Sequence, residues 1–207
     1  MGERGEERGD VMVKKQAAEQ RVVQARGSTL RSTLDFITAE KGDAALRRIL
    51  ARLPQSDRAL IERTSPTDEV PFSLVSRLWR EAERELGGDD PTWMERAGAY
   101  AIERMGMQLY GGLLRKSTPH EFLTQGISLF RLYYHPGDME VVEEADDRAV
   151  LRLVGFDAED RDQLFCRRQN GGLERALAIA GGKDPRVRHV RCALEGDAFC
   201  EWEGRWG

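Results

Sequence analysis

No stretch of this 207-residue chain approaches ~20 consecutive apolar residues, and no secretory signal is visible. A membrane span is therefore not expected, and the cytoplasm is the expected location. Excess positive charge is missing too. Lysine and arginine number 32 against 36 acidic residues, a formal charge of −4, so the electrostatic footprint of a nucleic-acid binder is not there. Histidine and cysteine are scarce, at three each. So few imidazoles leave little material for acid–base catalysis. An odd cysteine count without an export signal points to a reducing compartment, where thiols persist. A phosphate loop is absent as well. Gly181-Gly182-Lys183 follows a helical segment instead of opening one.

What cysteine there is sits in one place. The pattern Cys166-x22-His189-x2-Cys192-x7-Cys200 gathers three thiolates and one imidazole near the C-terminus. That is the donor set of a closed tetrahedral Cys₃His zinc site. Glu195-Gly196-Asp197 can form a hairpin tip that returns Cys200 beside Cys192, while Cys166 would come from a neighbouring element. Spacing alone leaves two other readings open. The three could be small buried apolar residues, or Cys192 and Cys200 could form a disulfide.

Residues 1–20 are charged and lack apolar periodicity, which reads as a flexible arm before a single domain over 21–207. A short strand is expected at Val22–Ala25, closed by Gly27, with Ser28-Thr29 capping a helix through Leu34 and Ile37. Gly42-Asp43 restarts a helix that Pro54 stops. Pro71–Leu86 reads as helix, as does the stretch from Trp93 to Leu109, opened by Asp90-Pro91-Thr92. Ser117-Thr118-Pro119 opens another, expected to run through Phe122 and Phe130 to Tyr133. After Pro136-Gly137 the apolar period becomes alternating. Met139–Ala145 and Ala149–Phe156 read as a hairpin about Asp146-Asp147. A helix over Asp157–Ala180 follows, then strands at Pro185–Ala193 and Phe199–Trp206. The expectation is an α+β fold: a mostly antiparallel sheet, a helical block packed on it, and a zinc-clamped C-terminal hairpin.

The tail Arg191-Cys192-Ala193-Leu194-Glu195-Gly196-Asp197-Ala198-Phe199-Cys200-Glu201-Trp202-Glu203 resembles the end of a 4-vinyl reductase domain. Such domains belong to a superfamily that includes aromatic-effector input domains of NtrC-type activators, haem-NO-binding-associated domains and subunits of the TRAPP tethering complex. In the activator branch a helix cysteine, an acidic residue and two hairpin cysteines hold structural zinc. The resemblance thus assigns Cys166, Cys192 and Cys200 as ligands, with His189 in the acidic residue's place. Gly42–Leu53, Pro71–Leu86 and the stretch from Ser117 to Gly137 are similar to uncharacterised single-domain proteins of myxobacteria.

The resemblance implies a non-enzymatic sensory or adaptor domain acting through a partner protein. Its N-terminal segment would mediate a homodimer. The alternative is a receptor whose helices enclose a small aromatic or acyl ligand, with Trp79, Trp93, Tyr100, Met105, Phe122, Phe130 and Tyr134 as candidate lining. Each of these, taken singly, reads equally as plain core. A filled core is favoured by Gly98, Ala101 and Gly106, small enough to let another backbone approach. The weakest reading is a Cys/His enzyme using Cys166 beside His189. His120 reads as a helix cap or surface residue and His135 as part of a turn. The proximal histidine and Tyr-x-Ser-x-Arg motif of haem-binding relatives are absent.

Overall fold

A computed structural model describes residues 22–156 and 162–207. The expected arm over 1–20 and the start of the expected helix at Asp157 lie outside these described residues. The first strand, β1 (Gln24–Arg26), runs straight into α1 (Gly27–Arg52). Gly27 opens this helix where it was expected to close the strand. A Cβ there would sit 2.0 Å from the Ser65 carbonyl oxygen, so only glycine lets the two segments pass. α1 carries both expected helices, joined across a kink at Gly42, whose φ of 79° is left-handed. α2 (Gln55–Arg63) and β2 (Glu69–Pro71) lead to α3 (Phe72–Leu86).

α4 (Trp93–Ala101) continues through one π-helical turn, Ile102–Gly106, into α5 (Met107–Leu114). The expected single helix from Pro119 to Tyr133 is broken in three. α6 (Pro119–Gln125) is capped as its sequence suggests, with the Thr118 hydroxyl accepting from the Glu121 amide at 3.1 Å. It stops at Gly126, which lies so close to the Leu113 carbonyl and the Phe122 ring that no side chain fits. A 3₁₀ turn then leads into α7 (Phe130–Tyr133).

Two antiparallel sheets follow from the remaining strands. β1 pairs on one side with β2 and on the other with β3 (Tyr134–His135). The larger sheet has the order β4-β5-β7-β6, formed by β4 (Asp138–Ala145), β5 (Arg148–Val154), β6 (Arg186–Arg191) and β7 (Glu201–Arg205). α8 (Gln163–Ile179) crosses the domain between this sheet and the helical block, touching α3, α4, β6 and β7. The α+β expectation therefore holds in its coarse form, with antiparallel sheets and a helical block. One contiguous core joins all the layers, from Leu30 and Ile37 through Trp79 and Phe165 to Trp202.

Candidate functional sites along α8

The N-terminal turn of α8 carries Cys166. Asp162 caps that turn by accepting from the Phe165 amide at 2.9 Å, and is itself held by the Ser76 hydroxyl at 2.6 Å. β6 supplies His189, Cys192 follows that edge strand, and β7 begins just after Cys200. The thiol sulfurs and an imidazole nitrogen all lie within 4.8 Å of one another. No disulfide joins the cysteines. The return between Cys192 and Cys200 is a 3₁₀ turn, Ala193–Glu195, followed by left-handed Gly196 at φ 101°. The Cys192 amide donates to the Asp197 carboxylate at 2.7 Å, and the Ala193 amide to the Cys200 sulfur at 3.4 Å.

His189 stacks on Trp202 with ring centroids 4.6 Å apart, and its buried Nε2 has no hydrogen-bond partner. The Cys166 thiol is pushed up, first by its hydrogen bond to Cys200 and then by burial. Burial also raises Cys192, with the neighbouring Cys200 adding to it. These shifts run opposite to the thiolate activation that a cysteine nucleophile needs. Crowded thiols and an orphaned imidazole are the donor chemistry of a cation site.

The other site lies further along α8. Two adjoining cavities of about 60 and 40 Å³ open beside it. The larger is apolar, walled by Phe122, Phe130, Met139, Leu173 and Ala176. The smaller is also walled mostly by apolar surface, but the polar side chains of Thr29, Arg168 and Gln169 border it, with Gly98 and Ala101 from α4. Ile102, Tyr133, Tyr134 and Gly172 border both. Ile102 opens the π-helical turn, a distortion that often accompanies a functional site. Burial holds the phenols of Tyr133 and Tyr134 above their ordinary range, so both are neutral. At Tyr134 the neighbouring Arg168, Thr29 and Gln169 favour ionisation and are outweighed, which places these polar groups around one spot.

Among the candidate lining residues, Phe122, Phe130 and Tyr134 border the larger cavity. Trp79 and Trp93 are fully buried elsewhere, their indole N–H groups donating to Thr33 and Glu83. Tyr100 packs edge-on against Phe36, at 5.6 Å between centroids, and Met105 lies half-buried in the π turn. Neither borders a cavity. Among the small residues, Gly98 meets a backbone: its Cβ would lie 2.2 Å from the Arg168 carbonyl oxygen. Gly106 meets the Tyr133 ring hydroxyl instead. Sequence reasoning missed Arg168. It occupies a position in the stripe Phe165, Arg168, Gly172, Ala176 that faces the core, and an arginine at an apolar-period position was the available signal.

No family model matches the chain, and no curated protein matches it either. Solved structures do. An Fe(II) unliganded H-NOX protein from K. algicida aligns with TM-score 0.65 at 10% identity, over 88% of this chain and 96% of that one. An H-NOX protein from S. oneidensis in the Fe(II)NO state gives 0.67 at 14%, over 88% and 99%. A structure concerned with haem distortion in the H-NOX family gives 0.65 at 11%, over 87% and 94%. The chain therefore shares the H-NOX fold.

This corrects the expectation of structural zinc as the cofactor. Iron and haem, not zinc, are named for the solved proteins of this fold. Haem does not fit the residues here either. His120 is exposed and bonded to Glu144 at 2.5 Å, His135 is exposed beside Pro136, and His189 belongs to the sulfur cluster. None of the three borders the cavities. Tyr133 borders both cavities, and burial holds its phenol protonated. Cavities of about 60 and 40 Å³ are also far smaller than a haem.

Proposed function

We propose that this chain is a single non-enzymatic sensory domain, a receptor for a small apolar molecule seated beside α8. The observation that carries the reading is the pair of cavities at the junction of α4, α6, α7 and α8. They lie where the helical block meets the large sheet, and aromatic and aliphatic side chains converge on them with a few polar groups. Proteins that share the fold bind NO and oxygen, as their names state. This chain keeps the architecture and lacks an imidazole for iron, so an organic ligand replaces the haem role in our reading.

The adaptor alternative required a filled core and an exposed apolar patch. Among the described residues the large exposed apolar side chains are only Val22, Leu109, Val190 and Leu194, the last two at the end of β6 and in the turn after it. That distribution favours the receptor. Occupancy would be reported to a partner chain, a second copy of this one included.

The sulfur cluster serves a different purpose in this reading. Cys166, His189, Cys192 and Cys200 hold a thiophilic metal ion that fastens α8 to the β6–β7 edge, so that the ligand-facing helix has a fixed end. Native mass spectrometry of the purified chain, combined with thermal melts against phenol, indole, phenylacetate and hexanoate, tests both parts. We expect a retained ion and a rise of several degrees with at least one ligand. No rise with any of them would end the receptor reading.

A further inference from the structure

This inference rests on the receptor reading and names the chemistry of its ligand. Arginine stays protonated inside a protein, so a buried guanidinium needs an anion or a full set of acceptors. Arg168 is only 5% exposed. Among the described residues no carboxylate pairs with it. Ser32 Oγ accepts from its Nη2 at 3.2 Å, the Tyr134 phenol lies beside both Arg168 and Thr29, and the Trp79 ring lies beneath the guanidinium at 5.3 Å. Its Nη1 has no partner. Half-buried Arg167, one residue earlier, shows the contrast. It makes a two-pronged pair with Glu95 at 3.0 and 2.9 Å.

The unpaired nitrogen is not alone. The hydroxyls of Thr29, a residue 1% exposed, and of Tyr133 also lack hydrogen-bond partners. Thr29, Tyr133 and Arg168 all border the smaller cavity. Each can donate a hydrogen bond, and the guanidinium adds a positive charge. Leaving such groups buried and unsatisfied is unfavourable, most of all for a charge. A ligand anion in the smaller cavity would satisfy Arg168 and Thr29 together.

The geometry points to a small monocarboxylic acid as the ligand: its carboxylate sits in the smaller cavity against Arg168 and Thr29, and its hydrocarbon part lies between Phe122, Phe130 and Met139. Size and charge narrow the class. A cavity of about 40 Å³ accommodates roughly three water-sized groups, which suits a carboxylate. By the same measure the apolar cavity of about 60 Å³ takes roughly four or five such groups, a short acyl chain. Among the described residues Arg168 is the one cation bordering either cavity, which matches a monoanion and not a phosphate dianion.

Isothermal titration of the whole chain at pH 7 tests this. The probes are butyrate, hexanoate, octanoate, benzoate and phenylacetate, each beside its primary amide. At least one acid should bind ten or more times tighter than its amide. Arg168→Gln should erase that preference while circular dichroism shows the fold intact. Equal binding of acid and amide, or an acid preference that survives in Arg168→Gln, would overturn the carboxylate assignment and leave the receptor standing. If no acid binds but phenol or indole does, the assignment also falls alone. If nothing binds, both readings fall. The acid-to-amide ratio of the unaltered chain needs no variant, so a variant that does not fold leaves the test decisive.

Discussion

Gly171 and Gly172 are neighbours on α8 and face opposite demands. Gly171 turns to α4, where a Cβ would stand 1.8 Å from the Glu95 carbonyl oxygen. Gly172 turns to the cavities, where the nearest atom to a Cβ is on the Ile102 side chain at 3.7 Å. One helix therefore has a sealed face and an open one. On the sealed face the backbones of α4 and α8 touch, with Gly98 answering from the other side and Arg167–Glu95 and Arg175–Glu103 ion pairs along the rim. On the open face the packing is incomplete. Interiors are normally close-packed, and a void forfeits contact energy. In the receptor reading, the open face is the one that takes the ligand.

The comparison breaks most easily at Gly171. Gly171→Ala forces two backbones apart, and overpacking of that kind costs about 1–3 kcal/mol or more. No flexible side-chain end is there to yield, so we expect the upper end or an unfolded chain, read as a fall in the urea midpoint. An unchanged midpoint would mean that α4 and α8 do not meet as described. The next effect belongs to the fixed end of the helix. Cys200→Ser buries a hydroxyl where a sulfur was, a cost of about 1–3 kcal/mol, and removes one donor of the proposed metal site. Its melting temperature should fall, and adding a chelator should lower the parent's melting temperature much more than the variant's. Equal chelator responses would remove the ion from the account.

Much of the sealed architecture was legible. Thr118-Pro119 announced the start of α6 because a capping hydroxyl and a fixed φ act locally. The hairpins announced themselves by alternation. Spacing alone left the cysteines open between metal donors, buried apolar residues and a disulfide; the structure brings Cys166, His189, Cys192 and Cys200 within 4.8 Å of one another. Of the small sheet only β1 was expected, near Val22–Ala25, and its pairing with β2 and β3 was not. β1, β2 and β3 are two or three residues long and pair between distant parts of the chain, too short for any period to show. The π turn left no trace, since Ile102–Gly106 has ordinary helical composition. The polar end of the cavity was hidden for a different reason. Arginine reads as surface, and only its place in the apolar stripe of α8 betrays Arg168. Aromatic residues gave the opposite error of excess. Trp79, Trp93, Tyr100 and Met105 qualified as lining on type and period, yet the walls use Tyr133, Met139, Leu173 and Ala176. Which face of a helix is left unfilled depends on its partners, and one chain's periodicity does not carry that.

The smallest effect sharpens the comparison most, because it has the opposite sign. Gly172 is mid-helix with no positive φ and with room for a methyl group. Replacing a helix-interior glycine by alanine removes backbone freedom from the unfolded chain and stabilises by roughly 0.5–1 kcal/mol. Gly172→Ala should therefore raise the urea midpoint while its neighbour Gly171→Ala lowers it. The added methyl also enters the space shared by the two cavities, beside Ile102. Ligand affinity should then fall while stability rises. A change to a filled core would raise stability without touching any ligand. A change at a structurally strained site would lower both. Only an open, functional face gives more stability and less binding from the same methyl group, so a Gly172→Ala chain that binds its ligand as tightly as the parent would place the ligand elsewhere in the molecule.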